Sequence, residues 1–289
     1  MMLDLRAALR GVRGLLLDLD GVVILAEKLI PGAAEALRTL DRRTIPYRIV
    51  TNTSLVTRAT LAKRFAELGA PIPAHRFHSS LSATAAWTAS RYPGEPLYVL
   101  ASGDALTEFA GQRLMTDEEA SRPDARAAAV VIGYAPESTT WDTLNRAFRL
   151  VRNGAELIGM HKSRWWFTPD GPTIDSGAIV AGLEYATGVR ARIMGKPSRL
   201  FFALAAGDLA AELGAHDGEG PVRRADLAMV GDDVWTDVLA ARRAGLRGIM
   251  VLSGKHGEED VARAAGQARD GGRPDAVAPS LAEIVAALD

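Results

Sequence analysis

Two carboxylates that follow a short apolar segment are the residues best placed to do chemistry in this sequence. The segment Gly14–Leu17 is apolar, and Asp18, Leu19 and Asp20 follow it. A short run of this kind is typical of a strand buried in a parallel sheet. Ligands of open α/β sheets bind beyond the carboxyl ends of such strands. Carboxylates at that position can bind a hard cation, attack an electrophile or transfer a proton.

Donor groups that suit a phosphate ester occur in two later segments. Thr51 and Asn52 end a second short strand pattern, and their side chains can donate hydrogen bonds to phosphate oxygens. Pro197 disfavours helical backbone at Lys196, so this ammonium is presented at a defined place. Each feature is also compatible with ordinary structure, because hydroxyl and amide residues form turns and caps and single lysines are usually solvated.

Another strand pattern ends in carboxylates near residue 230. The apolar segment 227–230 leads to Asp232 and Asp233, and Asp237 lies four residues further on. Asp233 and Asp237 also have a structural interpretation, because carboxylates in the first turn of a helix interact favourably with its dipole. An acidic strand end, a hydroxyl strand end, a lysine and a second acidic strand end, in this order, form a specific combination.

The elements that position these groups alternate between strand and helix. Strand patterns lie near residues 15–18, 48–50, 227–230 and 248–252, with helix patterns near 33–40 and 237–244 and from Ser198 and Ser280. This alternation predicts an α/β fold with a doubly wound, Rossmann-like parallel sheet. Residues 80–190 carry a second α/β pattern, with strands near 97–101, 128–133 and 156–160, a helix capped by Thr139-x-x-Asp142, and a loop at 115–125. We therefore predict a discontinuous core of residues 1–79 and 191–289 and an inserted α/β domain of residues 80–190.

Composition excludes several classes of protein. The chain has 289 residues, of which 48% are hydrophobic and 24% charged, and its formal net charge is −1. The net charge therefore creates no overall electrostatic field that would attract nucleic acid or an anionic membrane. The absence of cysteine excludes disulfides and thiolate sites. No apolar run has the length of a membrane span or of a signal peptide, so a cytoplasmic enzyme is expected.

Taken in order, the segments resemble the four motifs of the haloacid dehalogenase superfamily of phosphohydrolases. Asp18-Leu19-Asp20-Gly21-Val22 is similar to the first motif, Thr51-Asn52 to the second, Lys196 in Gly-Lys-Pro to the third and Gly231–Asp237 to the fourth. The insertion between the second and third motifs resembles the C2-type cap of the NagD-like branch, subfamily IIA. Within that branch the chain most resembles the phospholysine phosphohistidine inorganic pyrophosphate phosphatase group, through Gly195–Ser198, Leu183–Ala186 and the basic-aromatic segment 161–166.

This resemblance implies a Mg²⁺-dependent phosphatase that forms an aspartyl-phosphate. Asp18 is then the nucleophile and Asp20 the general acid and base. Asp18, the backbone carbonyl of Asp20, and Asp232 would bind the cation. Asp233 or Asp237 would support the metal ligands without binding the cation directly. Thr51, Asn52 and Lys196 would bind the phosphoryl group, and Lys162 would contact the substrate.

The substrate and the partners are less constrained by the sequence. A small phosphorylated metabolite is expected, with no nucleic acid and no membrane, and the cap is compatible with a homodimer. His161, Lys162 and Arg164 form either a solvated rim or a contact to the leaving group. Trp165 and Trp166 are expected to pack in the cap core, with an oligomer contact or a stacking surface as the alternatives. Lys255 and His256 are further candidates for substrate contact. A phosphotransferase or mutase, a non-catalytic phospho-ligand-binding protein and a receiver-like protein are alternative functions.

Overall fold

The computed structural model describes residues 4–168, 171–216, 221–267 and 272–288. The chain divides into two units. The first unit is formed by Met1–Thr51, Leu61–His78 and Lys196–Asp289, and the second by Asn52–Thr60 and Ser79–Gly195. The sequence prediction assigned residues 52–60 to the first unit.

Strands and helices alternate along most of the chain. The strands are β1 (Gly14–Asp18), β2 (Ile24–Leu25), β3 (Lys28–Leu29), β4 (Tyr47–Thr51), β5 (Phe77–Ser79), β6 (Pro96–Leu100), β7 (Arg113–Leu114), β8 (Ala129–Ile132), β9 (Glu156–Gly159), β10 (Trp165–Thr168), β11 (Gly171–Ile174), β12 (Arg192–Ile193), β13 (Leu227–Gly231), β14 (Arg247–Val251) and β15 (Ala276–Ala278). The helices are α1 (Leu5–Leu9), α2 (Ala33–Arg42), α3 (Arg58–Glu67), α4 (Ser80–Arg91), α5 (Asp117–Ala120), α6 (Trp141–Arg152), α7 (Ser176–Thr187), α8 (Arg199–His216), α9 (Leu239–Arg243), α10 (Glu258–Gln267) and α11 (Leu281–Ala287).

The first unit is built on a sheet with β1 at its centre. Across the described ranges the strand order is β15-β14-β13-β1-β4-β5. β1 pairs in parallel with β13 and with β4, and β13 and β15 pair in parallel with β14. Every residue of β1, β4 and β13 is buried, as expected for strands covered on both faces. The predicted doubly wound parallel sheet is confirmed.

The second unit has its own parallel sheet, in the order β12-β9-β8-β6-β7 within the described residues. Helices α6 and α7 pack on it through an apolar cluster that includes Ala147, Leu150 and Val180. The spacing of Ala147 and Leu150 on α6 places both on one helical face, which explains why this face is buried. The unit also contains the antiparallel pair β10 and β11.

Two local predictions in the second unit are wrong. Helix α6 is capped by Thr140 and Thr143, whose side chains exchange hydrogen bonds with each other's backbone N–H groups. Thr139 is not the cap because its hydroxyl donates to the carbonyl of Ala135 at 2.6 Å. The predicted loop at 115–125 contains α5, which begins with a reciprocal capping box between Thr116 and Glu119.

The chain after β13 also differs from a simple helix. Residues Val234–Val238 form a π-helical turn before α9 starts. Such turns are frequent at functional sites because they change which side chains face inward. The Gly- and charge-rich composition of residues 216–224 predicts a surface loop. That segment lies partly outside the described residues, and α8 extends to His216. No helix in the described part of the chain is long and apolar enough to cross a membrane.

Candidate active site

Three carboxylates meet at the carboxyl ends of two adjacent strands in the first unit. Asp18 is the last residue of β1, and Asp232 directly follows β13, which is the parallel neighbour of β1. Asp237 lies in the π-helical turn and is only 1% exposed. One carboxylate oxygen from each of these three residues lies within 4.8 Å of the others.

Glycines allow this close approach. At Gly231, a Cβ atom would lie 2.8 Å from Asp237 Oδ2 and 2.9 Å from Asp237 Cγ. At Gly21 it would lie 2.9 Å from Asp232 Cβ, and the φ angle of +80° also favours glycine. Larger residues at either position would push the carboxylates out of the cluster.

One buried ammonium compensates part of the negative charge. Lys196 Nζ lies 2.6 Å from Asp18 Oδ1 and 2.8 Å from Asp237 Oδ1. The backbone N–H of Leu19 also donates to Asp18 Oδ1, at 2.7 Å. Burial alone would lower the pKa of Lys196, but the two carboxylates beside it raise that pKa above its usual value, so the lysine is charged.

The cluster nevertheless carries an excess of negative charge. Burial raises the pKa of Asp18 to about 6, although Lys196 opposes the effect. Burial raises the pKa of Asp232 to about 6, and burial together with Asp18 raises that of Asp237 to about 8. One ammonium cannot compensate three buried carboxylates, and an all-oxygen donor set of this kind fits a hard divalent cation such as Mg²⁺.

Asp233 has a different environment from Asp237. Its Oδ1 accepts the backbone N–H groups of Trp235 and Thr236, each at 3.0 Å, and therefore caps the π-helical turn. Its Oδ2 lies 2.8 Å from Lys255 Nζ. Burial would raise the pKa of Asp233, but the hydrogen bond from Lys255 and the backbone donors lower it. The structure thus includes Asp237, and not Asp233, among the three clustered carboxylates.

Asp20 and Thr51 lie in the same unit as this cluster. Asp20 is exposed to solvent, yet the surrounding protein atoms desolvate its carboxylate enough to raise its pKa. Its side chain is not part of the group of three carboxylates. Thr51 is the last residue of β4 and is buried.

Asn52 and Lys162 belong to the second unit. The carbonyl of Asn52 accepts a hydrogen bond from Ser80 Oγ at 2.8 Å. Lys162 forms an ion pair with Glu184, whose other carboxylate oxygen accepts the backbone N–H of Ala191 at 3.0 Å. Burial would raise the pKa of Glu184, but these two donors lower it.

Comparison with known proteins places this arrangement in a family. Residues 15–114 match the family model described as haloacid dehalogenase-like hydrolase, and residues 193–284 match a model described as HAD-hydrolase-like. Haloacid dehalogenase-like hydrolase domain-containing protein 2 of Bos taurus is 35% identical over 254 residues, which are 88% of this chain and 89% of that protein. The chain belongs to the haloacid dehalogenase-like hydrolases.

Other relatives of this hydrolase support the finer prediction. The phospholysine phosphohistidine inorganic pyrophosphate phosphatase of Homo sapiens is 32% identical over 87% of this chain and 87% of that protein. The structure of NagD from Escherichia coli K-12 covers 94% of this chain and 98% of its own, with 29% identity and a TM-score of 0.79. The hydrolase is a phosphohydrolase of the NagD-like branch, and the predicted family and fold are confirmed.

Two further solved structures are similar to this hydrolase over almost its whole length. A 4-nitrophenylphosphatase from Thermotoga maritima is 27% identical, with a TM-score of 0.81 and coverage of 98% of this chain and 99% of that one. A glycerol phosphate phosphatase from Mycobacterium tuberculosis, in complex with calcium, is 26% identical, with a TM-score of 0.79. It covers 96% of this chain and 76% of its own.

In the cap segment 161–166 of this hydrolase, Lys162 and Arg164 are exposed, whereas two other side chains differ from the sequence prediction. His161 is buried, so it is not part of a solvated rim, and its Nε2 lies 3.2 Å from the hydroxyls of Ser54 and Ser176. Burial lowers its pKa, although Asp175 opposes the effect. Trp165 is 52% exposed, so the expected core packing is wrong for this side chain.

Sequence reasoning missed the role of the segment after β14. Lys255 and His256 are sequence candidates for substrate contact. In the structure Lys255 contacts Asp233, and His256 Nδ1 accepts the backbone N–H of Val234 at 3.2 Å. The signal that could have indicated this is Gly254, three residues after the end of β14, because a glycine often marks a site where another part of the backbone approaches closely.

Proposed function

We propose that this hydrolase is a Mg²⁺-dependent phosphatase that acts on a small phosphorylated metabolite through an aspartyl-phosphate at Asp18. The observation that carries the proposal is the buried cluster in which Lys196 is shared by Asp18 and Asp237 while Asp232 lies beside them. This arrangement holds a nucleophilic carboxylate at a strand end. It also contains more carboxylates than ammonium groups, so an additional positive charge would stabilise it. Phosphoryl transfer requires both features.

Asp18, Asp232 and the backbone carbonyl of Asp20 would hold Mg²⁺. Asp237 would support these ligands without binding the cation directly. When bound, the cation would neutralise charge on the phosphoryl oxygens and offset the repulsion between phosphate and carboxylates. The raised pKa values of Asp18 and Asp232 support this assignment, because both carboxylates lack sufficient compensating charge. The calcium complex of the mycobacterial neighbour supports a divalent cation in this fold.

The chain's own groups supply the remaining chemistry. The carboxylate of Asp18 attacks phosphorus, and the bond to the leaving oxygen breaks as that oxygen takes a proton from Asp20. Asp20, now ionised, accepts a proton from water, whose oxygen attacks phosphorus and releases phosphate and the free Asp18 carboxylate. The desolvation that raises the pKa of Asp20 favours the protonated form that the first step needs.

Three donors are proposed to bind the phosphoryl oxygens. Lys196 supplies positive charge, and its contact with Asp18 Oδ1 also restrains the nucleophile. Thr51, the last residue of the neighbouring strand β4, and Asn52, which follows it, supply hydrogen bonds. Such donors accelerate the reaction because they are arranged before charge develops in the transition state.

The second unit is proposed to select the leaving group, with Lys162 as the contact to the substrate. The names of similar proteins include phosphatases of 4-nitrophenyl phosphate, of glycerol phosphate and of phospholysine, phosphohistidine and pyrophosphate. A small phosphorylated compound is common to all of them. We therefore propose a metabolite of this class and no macromolecular substrate.

Phosphate release tests the proposal. The full-length chain is incubated with 4-nitrophenyl phosphate and a panel of phosphorylated metabolites, in Mg²⁺ and in EDTA. We expect release only with Mg²⁺, loss of release in Asp18→Asn, and normal release in Asp124→Asn, whose carboxylate is exposed. Release that persists in Asp18→Asn would remove the aspartyl-phosphate from the mechanism.

A phosphotransferase is distinguished by its acceptor. If Asp18 passes the phosphoryl group to an alcohol or sugar in preference to water, product analysis with added acceptor finds a phosphorylated acceptor in place of free phosphate. A phosphorylated Asp18 that accumulates without turnover would instead favour a receiver-like role.

A further inference from the structure

The residues Ser253–His256, here called the 253–256 segment, contact both loops that carry the acidic groups. Ser253 Oγ donates a hydrogen bond to the backbone carbonyl of Gly21 at 2.7 Å. The backbone N–H of Lys255 donates to Asp232 Oδ2, also at 2.7 Å. The segment therefore links the loop after β1 to the carboxylate after β13.

Gly254 brings the segment against Asp232 more closely than another residue could. A Cβ atom at Gly254 would lie 2.6 Å from Asp232 Cβ and 2.6 Å from Gly21 Cα. Real Cβ atoms do not approach other heavy atoms within 3.0 Å, and backbone atoms cannot move aside cheaply. An alanine at this position must displace either Asp232 or the loop at Gly21.

The last two residues of the segment hold the turn that follows Asp232. The ammonium of Lys255 lies 2.8 Å from Asp233 Oδ2, so it compensates this carboxylate separately from the cluster. The backbone N–H of His256 donates to the carbonyl of Asp232 at 3.3 Å, and His256 Nδ1 accepts the backbone N–H of Val234. The backbone on both sides of Asp232 is thereby bonded to one segment.

We infer that the 253–256 segment is a positioning element, in which Gly254 and the backbone N–H of Lys255 orient the Asp232 carboxylate for Mg²⁺. The inference rests on the proposed function. These residues act through Asp232 and do not themselves bind the cation or the substrate. Partners of metal ligands typically change metal affinity by about 10–100-fold when they are altered.

The test compares two glycines of the same loop. Gly254→Ala introduces the clash with Asp232, whereas Gly257→Ala does not, because no atom lies within 4 Å of a Cβ atom at Gly257. Mg²⁺ binding to the full-length apoprotein is measured by isothermal titration calorimetry, and folding by urea unfolding in EDTA. We expect Gly254→Ala to bind Mg²⁺ about 10–100-fold more weakly, and Gly257→Ala to bind it like the wild type.

Activity supplies a second readout. Since the nucleophile is unchanged, excess Mg²⁺ should restore most of the kcat of Gly254→Ala, while the Mg²⁺ concentration for half-maximal rate stays raised. Wild-type Mg²⁺ affinity in a folded Gly254→Ala variant would overturn the inference and leave the proposed function intact. Failure of the wild type to bind Mg²⁺ would overturn both, and the two failures are therefore distinguishable.

Ser253→Ala decides the question if Gly254→Ala does not fold. This change removes only the hydrogen bond to the carbonyl of Gly21 and creates no clash. We expect a reduction of Mg²⁺ affinity of about tenfold, at the lower end of the range for such partners. Unchanged affinity in Ser253→Ala would then overturn the inference.

Discussion

Lys196 Nζ lies 2.6 Å from Asp18 Oδ1, although the two residues are 178 positions apart in the sequence. The same ammonium lies 2.8 Å from Asp237 Oδ1, so one buried cation serves two buried carboxylates. This sharing links the stability of the first unit to its proposed chemistry.

Replacement of the shared lysine should strongly destabilise the protein. Lys196→Met leaves Asp18 and Asp237 buried without the ammonium, and removal of one partner of a buried ion pair typically costs about 3–5 kcal/mol. Urea unfolding in EDTA measures the change. Lys63→Met, at an exposed position, should change the free energy of unfolding by less than about 0.5 kcal/mol. A similarly small effect of Lys196→Met would contradict the proposed charge balance.

Asp20→Asn should slow turnover without preventing folding. An amide cannot protonate the leaving oxygen or activate water, and loss of general acid–base catalysis typically costs about 10²–10⁴-fold in rate. Activated 4-nitrophenyl phosphate should be affected less than an alkyl phosphate, because its leaving group needs little protonation. Equal losses on the two substrates would argue against the role of general acid.

Mg²⁺ affinity should fall as the pH falls below about 6. Burial raises the pKa of Asp18 and of Asp232 to about 6, and both carboxylates must be ionised to bind the cation. Protons then compete at two groups, which predicts up to about a hundredfold weaker binding at pH 5 than at pH 7. Titration calorimetry at constant ionic strength measures this. Affinity that is constant between those pH values would show that these carboxylates are not the ligands.

The buried His161 should make the protein less stable in acid. Its pKa is lowered by burial in the folded state, so below about pH 6.5 the unfolded chain binds the proton more readily. The neutral imidazole of His161 therefore contributes fully to the free energy of unfolding above that pH. This contribution is lost as the pH falls towards the pKa of His161 in the folded state. The contribution of His161 to the free energy of unfolding should therefore decrease between pH 7.5 and pH 5.5.

Urea unfolding of His161→Gln and of the wild type isolates this contribution, because other titrating groups are common to both proteins. The loss of stability between the two pH values should be smaller in His161→Gln. His75→Gln, which replaces an exposed histidine, should retain the wild-type loss. The same pH dependence in all three proteins would contradict the interpretation of His161.

Much of the fold was predictable from local pattern. Burial on both faces makes β1 and β13 continuous apolar runs, so Asp18 and Asp232 could be assigned to strand ends before any contact was known. Local pattern was insufficient at Trp165, where aromatic character suggested core packing but the side chain is half exposed. Burial of a single aromatic residue depends on which elements lie opposite it, and adjacent residues do not encode this.

The sequence by itself determined the chemistry that is available: two acidic strand ends, a threonine at a third and one lysine before a proline. Only the tertiary structure decided which groups meet. Asp233 and Asp237 are both acidic residues at the start of one helical segment, but the π-helical turn directs Asp237 to Lys196 and leaves Asp233 to cap the turn. The physical reason is that side-chain type and backbone period are local, whereas the partner of a buried charge depends on segments from distant parts of the chain.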